Sequence, residues 1–131
     1  MARSVTILGA GLVGSLLSII LKKRGFDVSI YERRPDMRAA AIGAGRSINL
    51  AMSVRGWNAL ELAGLRSEME KIAIPMYGRY LHQADGSSAF QQYGKNNEAI
   101  YSVSRGELNK KLMSLAEEHG VKIYFERAVL K

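Results

Sequence analysis

The six residues Gly9-Ala10-Gly11-Leu12-Val13-Gly14 constrain this chain more than any other feature. They form a G-x-G-x-x-G loop. The apolar run Val5-Thr6-Ile7-Leu8 before it reads as a buried strand. In the segment Leu12 to Arg24 after it, Leu12, Leu16, Ile19 and Ile20 fall at helical spacing. In such a strand–loop–helix context the first glycine permits a tight turn, the second lets the backbone approach a pyrophosphate, and the third lets helix and strand pack closely. The helix start supplies free N–H groups and the positive end of a dipole. Lys22, Lys23 and Arg24 followed by Gly25 are stop signals. Asp27-Val28-Ser29-Ile30-Tyr31 alternates as a second strand and closes a β-α-β unit. Glu32 lies 32 − 14 = 18 residues beyond the last glycine, where a carboxylate accepts hydrogen bonds from an adenosine ribose. The pattern predicts a dinucleotide site, against the plainer reading of a tight turn with no ligand. NAD and FAD both fit it. Glu32 repels a 2′-phosphate, an argument that Arg33 and Arg34 soften. Leu16, Leu17, Ile20 and Leu21 are expected in the core.

A chain of 131 residues is one domain in size, and 47% apolar with 24% charged residues is ordinary for a globular one. Residues 1–21 have a single early cation, Arg3, and an apolar stretch broken by glycines, which does not fit a secretory signal. The stretch Leu12–Leu21 is too short to span a bilayer. The absence of cysteine excludes disulfides, thiolate metal sites and a cysteine nucleophile, and a cytoplasmic location is expected. The net charge of +7 invites a nucleic-acid partner, but no base-stacking motif accompanies it, so none is expected. His82 and His119 are isolated, so no metal site is expected.

Further along, Pro35 to Gly45 reads as a loop and residues 47–51 as a short strand. Ser53 is placed to cap a helix through Ala63, with Trp57, Leu60 and Ala63 on one face and Gly64 as its stop. Residues 77–83 and 88–92 flank Ala84-Asp85-Gly86-Ser87, a hairpin signal, and residues 100–103 are expected to extend that sheet. Ser104-Arg105-Gly106-Glu107 is a capping-box pattern opening a helix with Leu108, Leu112, Leu115 and Ala116 on one face. It ends at His119-Gly120, and residues 121–125 read as a last strand.

Beyond the fingerprint, Ile7 through Leu16, Tyr31-Glu32-Arg33-Arg34-Pro35-Asp36 and Gly45-Arg46-Ser47-Ile48-Asn49-Leu50-Ala51 closely resemble the kynurenine hydroxylases, a family of FAD-dependent aromatic hydroxylases. Ile74-Pro75-Met76, Tyr93-Gly94 and Tyr101-Ser102-Val103-Ser104-Arg105 continue the resemblance in order, so that it covers essentially the whole chain. It implies an α/β fold: an incomplete Rossmann-like FAD-binding domain of the p-hydroxybenzoate hydroxylase type, spanning residues 1–131, with about residues 74–103 contributing strands to a substrate-side sheet. It implies bound FAD, NADPH as reductant, O₂ as co-substrate, and hydroxylation of L-kynurenine to 3-hydroxykynurenine. Members of the family are much longer and carry a second flavin motif further along, so the resemblance identifies an N-terminal portion, expected to be inactive alone and to self-associate through uncovered apolar faces.

The resemblance also assigns residues. With Gly9, Gly11 and Gly14 of the loop, it implies flavin contacts at Val13, Tyr31, Glu32, Arg33, Arg34, Ala51, Arg105 and Val129, and leaves Arg46 open as a further flavin-side cation. Arg105, a cation at a helix start, conflicts mildly with the dipole, which favours a role toward phosphate over a solvated surface position. Arg79 and Tyr93 match substrate positions: a guanidinium pairs with an amino-acid carboxylate bidentately and a phenol can share it. Their plainer readings are a surface cation and a half-buried strand aromatic. No catalytic acid or base is assigned, because the cofactor carries the hard chemistry in such enzymes. Another aromatic-ring flavin hydroxylase and a non-catalytic dinucleotide-binding module remain the alternatives.

Overall fold

Three parallel strands and two helices build the half of the fold that carries the glycine turn. A computed structural model describes residues 3–39 and 48–130 of the chain. Strand β1 (Ser4–Leu8) turns through the glycine loop into helix α1 (Leu12–Lys23), and β2 (Asp27–Tyr31) returns parallel to β1, with Ser4 opposite Asp27 and Leu8 opposite Tyr31. Gly25 has φ of +84°, the left-handed turn that ends α1. The alternation sends Val28 and Ile30 into the core, while Tyr31, at the carboxyl end of the strand, stays exposed.

The chain then forms β3 (Asn49–Met52), α2 (Val54–Leu62), α3 (Arg66–Glu70) and β4 (Ile74–Met76). A hairpin of β5 (Gly78–His82) and β6 (Ser88–Gln92) follows, and then β7 (Ile100–Ser104), α4 (Arg105–Glu118) and β8 (Lys122–Tyr124). The strands make three sheets: parallel β1-β2-β8, antiparallel β3-β7-β4, and the β5-β6 hairpin. Helix α1 lies between the parallel sheet and α4. Its two fully buried small residues, Ser15 and Ser18, let those neighbours close on it. Both hydroxyls are satisfied locally, Ser18 Oγ donating to the Ser15 carbonyl at 2.6 Å and Ser15 Oγ to the Ala10 carbonyl at 3.3 Å. Leu108, Leu112, Leu115 and Ala116 of α4 are buried as the spacing predicts.

Several expectations change. Residues 100–103 do not extend the hairpin: β7 sits between β3 and β4, its Val103 buried at 2% exposure, and runs straight into α4. The β4 strand was hidden by Pro75, which lacks a ladder N–H and is tolerated because β4 is an edge. The five-residue α3 has no capping signal; burial of Met69 beneath it marks it instead. Ser53 stands at the N-cap of α2, but its hydroxyl makes no cap bond; its carbonyl receives the N–H groups of Gly56 and Trp57. Leu17 is 43% exposed rather than core, because Ser15, Ser18 and Ile19 take the inward face of α1.

Candidate functional site

The glycine loop is a built turn. Gly9 has φ of +100°, a region that side chains disfavour, and its N–H donates to the Tyr31 carbonyl at 2.8 Å, so the loop leaves β1 still bonded to β2. A Cβ at Gly14 would collide with the Gly9 carbonyl and press on Ile7 Cγ2, which is the close helix–strand approach the third glycine exists to allow. A Cβ at Gly11 would meet nothing. The second glycine therefore faces open space, the cradle a backbone-bound phosphate requires. Gly11 is also the N-cap of α1, with no side-chain cap and no acidic residue in the first turn, so the positive end of the helix is left unneutralised.

Around this turn opens a cleft of about 810 Å³. It is lined by Leu8, Gly9, Gly11 to Gly14, Tyr31 to Arg34, Arg105 and Arg127 to Val129. It thus brings together ten of the residues expected at the cofactor: Gly9, Gly11, Val13, Gly14, Tyr31, Glu32, Arg33, Arg34, Arg105 and Val129. Ala51 is not among the lining residues; it lies exposed on β3 opposite Ser102. Arg46 lies outside the described residues.

Glu32 is buried at 5% exposure, and every short bond it makes is internal. Its Oε2 accepts the Ala10 N–H at 2.8 Å, and its Oε1 accepts the Arg34 backbone N–H and Nε, each at 2.9 Å. Burial pushes the carboxyl upward, but the bonds from the Arg34 side chain, the Arg34 backbone and Ala10 outweigh it and hold the group down at about 2. Glu32 is therefore ionised at neutral pH and accepts only. A carboxylate offers about four acceptor positions; three are taken by these short bonds and the fourth by a longer one from Arg34 Nη2 to Oε2 at 3.4 Å, the contact an incoming hydroxyl donor would displace. The structure thus gives Glu32 a duty the spacing argument did not contain: it ties the glycine turn to the end of β2.

Among the described residues no carboxylate lies within ion-pair distance of Arg33, Arg105 or Arg127, while Arg34 is paired with Glu32. Three uncompensated guanidiniums and a helix N-terminus around one cleft make a site for a polyanion. Arg127 and Ala128 escaped the sequence reading. Their signal was available, since they follow the carboxyl end of a parallel strand, where open α/β sheets bind ligands. The path is visible in the bonds that prolong the β2–β8 ladder, Glu126 N–H to the Arg34 carbonyl at 3.2 Å and Arg127 N–H to the Glu32 carbonyl at 2.9 Å.

Arg79 and Tyr93 lie apart from this cleft, on the hairpin. Arg79 is opposite Gln91 in the register, and the Tyr93 N–H donates to the Tyr77 carbonyl at 2.9 Å. Alternation therefore sets Tyr77, Arg79, Gln91 and Tyr93 on one face. Arg79 Nε donates to Gln91 Oε1 at 2.8 Å, and Tyr93 is 42% exposed. His82 is exposed on the same hairpin, and no group of metal-ligating side chains occurs among the described residues. No described helix is long and apolar enough to cross a membrane.

Residues 2–131 match the protein family described as FAD binding domain. The chain is 50% identical over 127 residues to the kynurenine 3-monooxygenase of Christiangramia forsetii, covering 97% of this chain and 28% of that protein. It is 52% identical over 128 residues to the kynurenine 3-monooxygenase of Myxococcus xanthus, covering 96% of this chain and again 28% of the relative. The chain therefore spans less than a third of the length of these curated relatives. Among solved structures, the tetrameric form of 2-methyl-3-hydroxypyridine-5-carboxylic acid oxygenase superposes with a TM-score of 0.70 at 25% identity, covering 95% of this chain and 32% of that one. The p-nitrophenol 4-monooxygenase of Pseudomonas putida, at 17% identity, shares the fold with a TM-score of 0.72 over 95% of this chain and 32% of its own.

Proposed function

The chain belongs to the FAD binding domain family, and from that premise we propose that it is the N-terminal, flavin-holding portion of an NADPH- and FAD-dependent aromatic monooxygenase that hydroxylates L-kynurenine to 3-hydroxykynurenine. The observation that carries this reading is the cleft itself: an open glycine cradle, an ionised buried Glu32 and three uncompensated arginines around one helix N-terminus. The identity to kynurenine 3-monooxygenases, near one half over almost the whole chain, supports the choice of substrate.

The residues present suit FAD. Gly11 and the free N–H groups at the start of α1 would take the pyrophosphate, with Arg105 and Arg127 supplying charge. A ribose hydroxyl would displace the long Arg34 Nη2 contact on Glu32 Oε2, and Tyr31, Arg33, Val129 and Val13 would shape the walls. When bound, FAD supplies redox and oxygen-transfer chemistry that side chains lack. The work left to this chain is binding, orientation and charge neutralisation, and no acid or base of the chain is assigned to the reaction. On the same reading, residues 74–103 belong to the substrate side, where Arg79 and Tyr93 hold the α-carboxylate of the amino acid, Ala51 lies on the flavin side, and the protein works in the cytoplasm.

The test is a visible absorption spectrum and an NADPH oxidation assay on the complete protein. Flavin bands together with oxidation of NADPH accelerated by L-kynurenine, with 3-hydroxykynurenine as product, are expected. Flavin bands with acceleration only by other aromatic compounds would move the assignment to another hydroxylase. A protein that retains no flavin would overturn the reading.

A further inference from the structure

We infer that Asn109 is a positioning residue for the dinucleotide: from inside the fold it aims the Gly11 N–H of the glycine turn into the cleft. The inference rests on the cofactor reading above. Asn109, on α4, is 7% exposed, and its Nδ2 donates to the Ala10 carbonyl at 3.0 Å across 99 residues of sequence. The same residue, Ala10, gives its N–H to Glu32 Oε2 at 2.8 Å. These two bonds act on consecutive peptide groups, Gly9–Ala10 through the N–H and Ala10–Gly11 through the carbonyl. Both are trans, since the described chain has no cis bond. In a trans peptide the C=O and N–H point in opposite directions. Drawing the Ala10 carbonyl inward toward α4 therefore turns the Gly11 N–H away from α4, at a residue that lines the cleft. No acceptor for that N–H occurs among the described residues.

The Ser15 hydroxyl also reaches the Ala10 carbonyl, at 3.3 Å, but it belongs to α1 and moves with the loop it would be fixing. Asn109 is anchored elsewhere. Its helix begins at the Ser104 cap, where Ser104 Oγ accepts the Glu107 N–H, and Arg105, four residues earlier on the same face of α4, reaches the rim of the cleft. One helix thus carries a cation to the rim and a buried amide under the turn. The Met37 sulfur lies 3.3 Å from the same Nδ2, which orients the amide from the loop after β2.

The experiment removes FAD from the complete protein and titrates it back, comparing wild type with Asn109→Leu, close in volume but without a donor, and with Leu112→Val, which loosens packing on the next turn of α4 without touching the glycine turn. Asn109→Leu is expected to weaken FAD binding about tenfold or more and to shift the ³¹P resonances of the bound pyrophosphate. Leu112→Val is expected to lower the thermal midpoint while leaving FAD affinity and the ³¹P spectrum as in wild type. Asn109→Ser serves the same purpose with less steric demand should the leucine variant not fold. Wild-type FAD affinity in the Asn109 variants, or an equal loss of affinity in Leu112→Val, would overturn the positioning role alone. A wild-type protein that holds no FAD would overturn the cofactor reading as well.

Discussion

The glycine-loop cleft and the β5–β6 hairpin both carry residues expected to meet small molecules, yet they are built differently. In the cleft each element is held by something distant: β1 by β2, the turn by Glu32 and Asn109, and α1 by the sheet and α4. The hairpin pairs only with itself, and all of its residues except Gly78 and Leu81 are exposed. Tyr80 and Phe90 pack on each other at 5.1 Å, the Asp-Gly turn is closed by Asp85 Oδ1 accepting from Ser87, and Arg79 rests on its cross-strand neighbour Gln91. An isolated two-stranded hairpin is marginal. The difference teaches that the glycine-loop cleft is preorganised by contacts from distant parts of the chain, whereas the arrangement of Arg79 and Tyr93 depends on local pairing alone.

That contrast can be broken most severely at the third glycine. Gly14→Ala forces a methyl group into the Gly9 carbonyl, and it should cost about 3 kcal/mol or more of stability and take flavin retention with it. Chemical denaturation and flavin absorbance of the complete protein measure both. Gly11→Val should separate the two effects. Its Cβ meets no protein atom, so stability should change by only about 1 kcal/mol, while the filled cradle should abolish flavin retention. A variant that purifies yellow with full flavin content would show that the phosphate lies elsewhere.

Glu32 sharpens the comparison through pH. Its folded carboxyl, at about 2, lies below the ordinary value of 4.5, so ionisation stabilises the fold. That contribution is complete above about 4.5 and disappears as pH falls through about 2. It amounts to roughly 3 kcal/mol. Glu32→Ala should be less stable than wild type by about that amount at pH 7, and the gap should narrow in urea titrations run at successively lower pH. FAD affinity should fall by about 1.5–3 kcal/mol at neutral pH.

On the hairpin the expected effects are in binding rather than stability. On the proposed substrate reading, Arg79→Lys in the complete protein should weaken kynurenine binding by about 2–4 kcal/mol, because a point charge does not replace a planar fork. Tyr93→Phe should cost about 1 kcal/mol. Thermal midpoint and flavin content should be unchanged in both, since both side chains are exposed and neither lines the cleft. Wild-type substrate titrations for both variants would place the carboxylate elsewhere.

Much of the nucleotide half could be read in advance because its signals are local. A strand, a G-x-G-x-x-G turn and an amphipathic helix depend on residues a few positions apart, and Glu32 follows at a spacing set by one helix and one strand. The capping Ser104, the α4 face and the Asp-Gly hairpin were legible for the same reason. Tertiary packing decided the rest. Whether residues 100–103 join the hairpin or lie between β3 and β4 depends on which apolar faces meet, and Val103 chose the core. Strand β4 needed an edge to tolerate Pro75. Arg127 entered the site only because β8 pairs with β2, and Asn109 found Ala10 only because α4 packs on α1. The sequence alone determined the chemistry the turn can perform, since φ above zero, a missing Cβ and a bare helix start are properties of glycine at given positions. Tertiary structure decided what holds that turn still, because a hydrogen bond spanning 99 residues has no local signature.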